Sequence, residues 1–266
     1  MWALTLSGAL GLCPMNSKDA KVNRVLDVGT GTGIWAIDFG DEHPEAEACS
    51  HTCLRQKIIG IDLSPIQPLF VPPNVRFEID DLEEPWTFSQ KFDYIHCRDL
   101  IGGFTDWPNF FAQSYENLEP GGYLELQSLS LPCQCDDDTL LPEHSLWQWS
   151  NYMLEAAKIL GRTLDIPSSY KELAEEAGFT NVEAKMFKWA QNTWPKESNA
   201  KELGMWELEN ATGGLEGISM ALFTRGLGWA KPDVDVFLAK VRTDMRNKSI
   251  HAYWPIWVVH GQKSTT

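Results

Sequence analysis

Apolar and polar positions along the chain fall into short runs that switch between two periods. Val25-Leu26-Asp27-Val28 is an apolar run broken by one acid, and Ile34, Trp35, Ile37 and Phe39 then recur at helical spacing. Pro44 closes that helix just after His43. Ile58-Ile59-Gly60-Ile61 predicts a second strand ending at Asp62, Val75 to Ile79 an alternating third, and Phe92 to His96 a fourth. Trp107 to Leu118 reads as a helix, Pro120-Gly121-Gly122 as a turn and Tyr123 to Gln127 as a fifth strand. Strands and helices alternating at this spacing predict an α/β domain with a parallel sheet.

After Gln127 the pattern changes. Pro142 to Leu160 and Ser168 to Ala177 are helical, the second stopped by Gly178. Asn181 to Trp189 and His251 to Lys263 alternate as strands, and Pro255 suits an edge position for the latter. Between them lie helical stripes, among them Val234, Phe237, Leu238, Val241 and Met245, which reads as core. The expectation is one domain, 1–266, in which a strand hairpin carries a helical lid of residues 128–178 and 190–250.

The candidate chemistry begins where the first strand runs into Gly29-Thr30-Gly31-Thr32-Gly33. Glycines there permit a tight turn and let a ligand lie on the backbone. A dinucleotide fingerprint wants its third glycine one residue later, where Ile34 stands, and Asp27 would set an anion beside a pyrophosphate. S-adenosylmethionine (SAM) has no phosphate and carries a sulfonium and an ammonium, which a carboxylate attracts. The corner therefore reads as a SAM site, the alternative being a plain turn of some other α/β protein. Asp62, at the carboxyl edge of the sheet, can accept both ribose hydroxyls or cap a helix beside Ser64-Pro65. Asp80 and Asp81, at the next strand end, suit the adenine amino group or a solvated turn.

For an oxygen acceptor a general base is wanted. His96 is the first candidate, as base or pocket wall, ahead of His251 and Tyr253. Arg98 either orients a carboxylate or pairs with Asp99. Trp147, Trp149, Trp206, Phe223 and Trp229 either enclose a flat apolar substrate or fill the core.

One stretch looks out of place. Asp62 lies 29 positions after Gly33, and setting aside the ten residues Ala48 to Lys57 leaves 19, near the roughly 20 expected between such a corner and its ribose acid. Residues 48–57 are therefore expected to be a looped-out insertion. Cys49, His51 and Cys53 invite a zinc reading but give only three crowded ligands, so no metal is expected.

Composition then narrows the partners. Hydrophobic content of 43% and charged content of 22% are those of a globular protein. A net charge of −15 argues against nucleic acid and anionic membranes. No apolar run is long enough to span a bilayer, Met1 to Leu12 lacks a basic leader segment, and six cysteines lie scattered. A small-molecule substrate, with protein partners as a further option, and a cytoplasmic or nuclear location are the expectations.

The motifs VLDVGTGTG, IGIDLSPIQP, VRFEIDDLEEPW, FDYIHCR and LEPGGYLELQ stand in the order of a class I SAM-dependent methyltransferase. Their wording, with LFTRGLGW and SIHAYWPIWVVHGQK in the tail, resembles the fungal LaeA-like group, which includes a regulator of secondary metabolism. The resemblance covers nearly the whole chain. It implies a Rossmann-like seven-stranded sheet of order 3-2-1-4-5-7-6, with strand 7 antiparallel. It further implies that Gly29, Thr30, Gly31 and Gly33 pass under the methionyl part of SAM, with Asp27 near its ammonium. Asp62 and Leu63 would hold the ribose, Asp80 or Asp81 the adenine, and His96 and Arg98 would border the pocket. The expected activity is methylation of a small molecule, with a SAM-binding or degenerate regulatory protein as the alternative. The family has a longer helix ahead of the segment MWALTLSG, so a weakened hold on the cofactor is expected.

Overall fold

The computed structural model describes residues 1–44 and 58–265. The insertion expected at 48–57, with its zinc alternative at Cys49, His51 and Cys53, lies outside the described residues. Seven strands form one sheet in the order 3-2-1-4-5-7-6. They are β1 (Val25–Val28), β2 (Ile58–Asp62), β3 (Val75–Ile79), β4 (Phe92–Arg98), β5 (Leu118–Leu129), β6 (Thr180–Ala190) and β7 (Tyr253–Gln262). All neighbouring pairs are parallel except those of β7, which runs antiparallel to β5 and β6. Order and orientation are those the resemblance implied.

The inner strands are short apolar runs because both of their faces are covered. β1 is buried at every position. One face packs Leu26, Ile59, Ile95 and Leu124 against α3 (Trp107–Asn117) and α5 (Tyr170–Glu176). The opposite face packs Val25, Ile58 and Tyr94 under Trp35, Ala36 and Phe39 of α2 (Ile34–Glu42). Three further helices, α4 (Ser145–Ile159), α6 (Ser198–Ala221) and α7 (Lys231–Arg246), build a separate core with Trp189, Trp254 and Ile256. The stripe Val234, Leu238, Val241 and Met245 of α7 is wholly buried in it. So are Trp149 and Phe223, with Trp229 packed against them, so these aromatic residues are core.

Two sequence expectations need correction. Pro120-Gly121-Gly122 does not end the helix-to-strand connection; it lies inside β5, where the register to β4 shifts between Phe92 and Tyr94. Pro255 does not mark an edge, because β7 lies between β5 and β6. Its carbonyl accepts the Ser130 N–H just past the end of β5. A residue's N–H and C=O point to the same side in an antiparallel ladder, so the donor that proline lacks would face the Ser130 backbone, and this pair at the end of β5 keeps one bond of two.

The first sixteen residues carry a helix, α1 (Trp2–Thr5), and then a strap across the sheet. Glu125, fully buried on β5, accepts hydrogen bonds from the backbone N–H of Leu12 and Cys13, both at 2.8 Å. It also accepts from Asn16 Nδ2, Gln127 Nε2 and the Tyr94 hydroxyl. The Leu10 carbonyl accepts from Trp35 Nε1, Arg98 Nη2 and Gln127 Nε2. A buried carboxylate is tolerated only with such partners. Glu125→Gln turns one acceptor oxygen into an NH2 group facing donors, at a cost of about 1–3 kcal/mol. Hydrogen exchange should then quicken at Leu12 and Cys13 well before it does at Leu26 or Ile95; equal exchange at all four would refute this role for Glu125.

Candidate active site

The carboxyl ends of β1 to β4 share one edge of the sheet, where open α/β sheets bind ligands. After β1 the backbone passes through positive φ at Gly29 (66°), Gly31 (56°) and Gly33 (80°), values that favour glycine. The Thr30 N–H donates to the Ile61 carbonyl and stitches the turn to β2. A Cβ on Gly33 would enter the Phe77 ring and one on Gly29 would meet Leu100, whereas one on Gly31 would meet nothing within 4 Å. Gly31 is thus the open saddle of the corner, free to lie under a ligand.

Asp62 faces that saddle. Its Oδ2 accepts the Gly31 N–H and its Oδ1 accepts the Ser64 N–H, both at 2.9 Å. It caps a turn, and no helix follows it before β3. Each oxygen retains capacity for another donor. Gln67 Nε2 donates to the Gly31 carbonyl at 2.7 Å and braces the corner from the other side. At the end of β3, Asp80 Oδ1 accepts from the Asp81 N–H and Asp81 Oδ1 from the Glu83 N–H. Both acids are exposed, and Leu63 and Ile79 stand beside them 68% and 63% exposed. Exposed acids beside exposed apolar side chains suit a heterocycle bearing an amino group.

Asp27 and His96 lie beneath this surface. Asp27 is 2% exposed, and its oxygens accept from the Thr30 hydroxyl (2.6 Å) and His96 Nδ1 (2.7 Å). His96 is fully buried, and Trp35 stacks flat on its ring at 3.6 Å. Its Nε2 has no hydrogen-bond partner among the described residues. Burial pushes the imidazole pKa down, against the pull of Asp27, so the ring is neutral and donates through Nδ1. Arg98 does not ion-pair with Asp99: its Nε donates to Gln127, its Nη2 to the Leu10 carbonyl, and its guanidinium lies 5.0 Å from the Trp2 ring. His251 bonds Asp137 and Tyr253 bonds Asp136, so both are committed to the 134–139 loop.

An open cavity of about 440 Å³ adjoins the corner, lined by Met1, Trp2, Asp99, Trp189, Trp206, Glu209 and Asn210. Asp99 follows β4 directly and is joined to the corner by Leu100, whose side chain lies against Gly29. Asp99 accepts from Trp2 Nε1 at 2.9 Å and from the Leu129 N–H at 3.2 Å.

The sequence model described as a methyltransferase domain matches residues 11–184. The chain belongs to that methyltransferase family. Methyltransferase pytC of Aspergillus terreus is 37% identical over 263 residues, 99% of this chain and 78% of its own length. The secondary metabolism regulator LAE1 of Cochliobolus heterostrophus is 34% identical over 256 residues, 95% of this chain and 80% of its own. Among solved structures, phosphoethanolamine N-methyltransferase 2 of Haemonchus contortus superposes with a TM-score of 0.52 at 18% identity. That match covers 91% of this chain, which spans about half (49%) of the nematode protein, and it speaks to the fold.

Sequence reasoning on this methyltransferase singled out the corner and the strand-end acids but missed Trp189, Glu209 and Asn210 as cavity groups. Trp206 alone of the five aromatic residues proposed as substrate walls reaches the cavity.

The pH dependence of stability tests the neutral His96. An unfolded chain protonates this histidine near pH 6.5, the folded one only at lower pH. Its contribution is therefore present above pH 6.5 and drains away as pH falls. His96→Gln should lose that slope in denaturant titrations; the same slope in both proteins would contradict the assignment.

Proposed function

We propose that this methyltransferase binds SAM across the glycine corner and methylates a small molecule of fungal secondary metabolism. The observation that carries the reading is the open saddle at Gly31 held against Asp62, a cradle with space for a ligand on the backbone and spare acceptor capacity beside it. In it Gly29, Thr30, Gly31 and Gly33 underlie the methionyl part, and Asp62 takes the ribose hydroxyls with Leu63 against the sugar. Asp80 or Asp81 accepts from the adenine amino group. Bound there, SAM supplies an electrophilic methyl group on a sulfonium.

Asp27 bears on the corner through Thr30, and His96 is a positioning residue that holds Asp27 rather than a base. Arg98 ties the strap to β5 and forms the pocket border. The cavity beside the corner supports a small acceptor, since its volume falls in the ordinary range for such sites. The likeness to LAE1, a secondary metabolism regulator, supports the fungal secondary-metabolism setting. LAE1's name also favours a second reading, a regulator that works through protein partners with little turnover.

Calorimetry with SAM, S-adenosylhomocysteine and NAD separates these readings. The expected result is binding of the first two and silence from NAD; silence from all three favours the regulator. Asp62→Ala should weaken SAM by roughly 30- to 150-fold, the loss of a charge-assisted contact of about 2–3 kcal/mol. An unchanged dissociation constant in a folded variant would remove Asp62 from the site.

A further inference from the structure

Leu69 and Phe70 are each 95% exposed, more than any other large apolar side chain among the described residues. Ile66, on the same connection between β2 and β3, is exposed too. A single exposed leucine needs no explanation, but adjoining large apolar side chains left in water mark a contact site.

The connection that presents them is pinned along the length of α2. Before that helix begins, Gln67 Nε2 donates to the carbonyls of Gly31 and Ser64 at 2.7 and 2.9 Å. Val71 packs against the core that Trp35 and Phe39 cover. At the far end of the helix, Asn74 Nδ2 donates to the carbonyls of Gly40 and His43 at 3.0 and 3.2 Å. Pro65, Pro68, Pro72 and Pro73 each lock a φ angle along the way. Leu69 and Phe70 therefore stand out between two anchors, Gln67 and Val71, and a slack loop does not account for their exposure. A contact pair held rigid in advance loses little freedom when a partner covers it.

The surroundings say what kind of partner fits. α2 carries Asp38, Asp41 and Glu42 and no lysine or arginine. Described residues 25–44 and 58–90 hold ten acids and one such base, Arg76, which is paired with Glu78 at 2.9 Å. A surface of this charge repels nucleic acid, an anionic membrane and the same face of a second copy. It attracts a cationic partner and selects against acidic ones.

We propose that Ile66, Leu69 and Phe70 form a docking surface for another protein, through a segment of that protein that is basic and bears apolar side chains. The apolar side chains of the segment cover Leu69 and Phe70, and its lysines or arginines answer the acids of α2 and of the strand ends. Because Gln67 ties the same connection to Gly31, the docked segment stands beside the glycine corner. The surface does not depend on what that corner binds.

The test uses the full chain, the variant Leu69→Ser/Phe70→Ser, and three synthetic helical peptides built from leucine and lysine, leucine and glutamate, and alanine and lysine. Calorimetry should find one leucine–lysine peptide bound per chain, with an affinity that falls as salt rises. The double variant should bind it about 10-fold more weakly or worse, as expected for loss of an apolar anchor. The leucine–glutamate peptide should not bind, and the alanine–lysine peptide should bind weakly and equally to both proteins. Melting temperature and SAM affinity should be the same in variant and wild type, since the replaced side chains stand in water. A leucine–lysine peptide that fails to bind, or binds both proteins alike, overturns the proposal. So does a variant that loses SAM affinity, which would make the pair a wall of the cofactor site. A wild-type dimer that the variant dissolves would name a second copy as the occupant, and wild-type binding to phosphatidylcholine vesicles that the variant loses would name a membrane; either result overturns it as well.

Discussion

Two carboxylates buried in the middle of the sheet govern how everything around them is arranged. Asp27 on β1 and Glu125 on β5 stand on either side of His96 on β4, in register across the strands. Neither can be left bare in a low-dielectric interior. Asp27 is satisfied by recruiting Thr30 from the glycine turn and the imidazole from the neighbouring strand, which orients the corner from below. Glu125 is satisfied by drawing the strap down on the same face. The need to pair two charges thus positions both the glycine turn and the segment that leads to the cavity wall at Trp2.

The corner itself follows from backbone geometry. Left-handed conformations at alternate positions of the turn fall on residues without a Cβ, and Phe77 and Leu100 close the two ends where one would collide. What remains open is the strip at Gly31, flanked by Asp62, with the acids of β3 farther along the same edge. The aromatic cavity then begins one residue beyond β4, so it meets the glycine corner at Asp99 and Leu100.

Much of this was legible in the sequence because it is local. Val25 to Gly33 carries its own strand, turn and helix start, and apolar runs ending in acids mark the strand ends at Asp62 and Asp80. Less legible were features set by distant partners. Nothing near Leu10 signals that its carbonyl will take three side-chain donors, and Glu125 reads as one more polar residue in an alternating strand. Pro255 misled for the same reason: a proline's tolerance in an inner strand depends on which backbone groups the neighbouring chain sets opposite it. His96 sits at a strand end suited to a base, yet Trp35 and Asp27, brought over by α2 and β1, make it a support.

The strap also sets an order of events for the chain as it is made. Leu12 and Cys13 are joined to Glu125 across 113 and 112 positions. Contacts this far apart in sequence are closed late and slowly. On the ribosome the opening residues must wait, apolar side chains and all, until β5 has emerged and paired with β4. During that interval Leu10, Leu12 and Cys13 lack the partners on β4 and β5 that hold them in the folded protein.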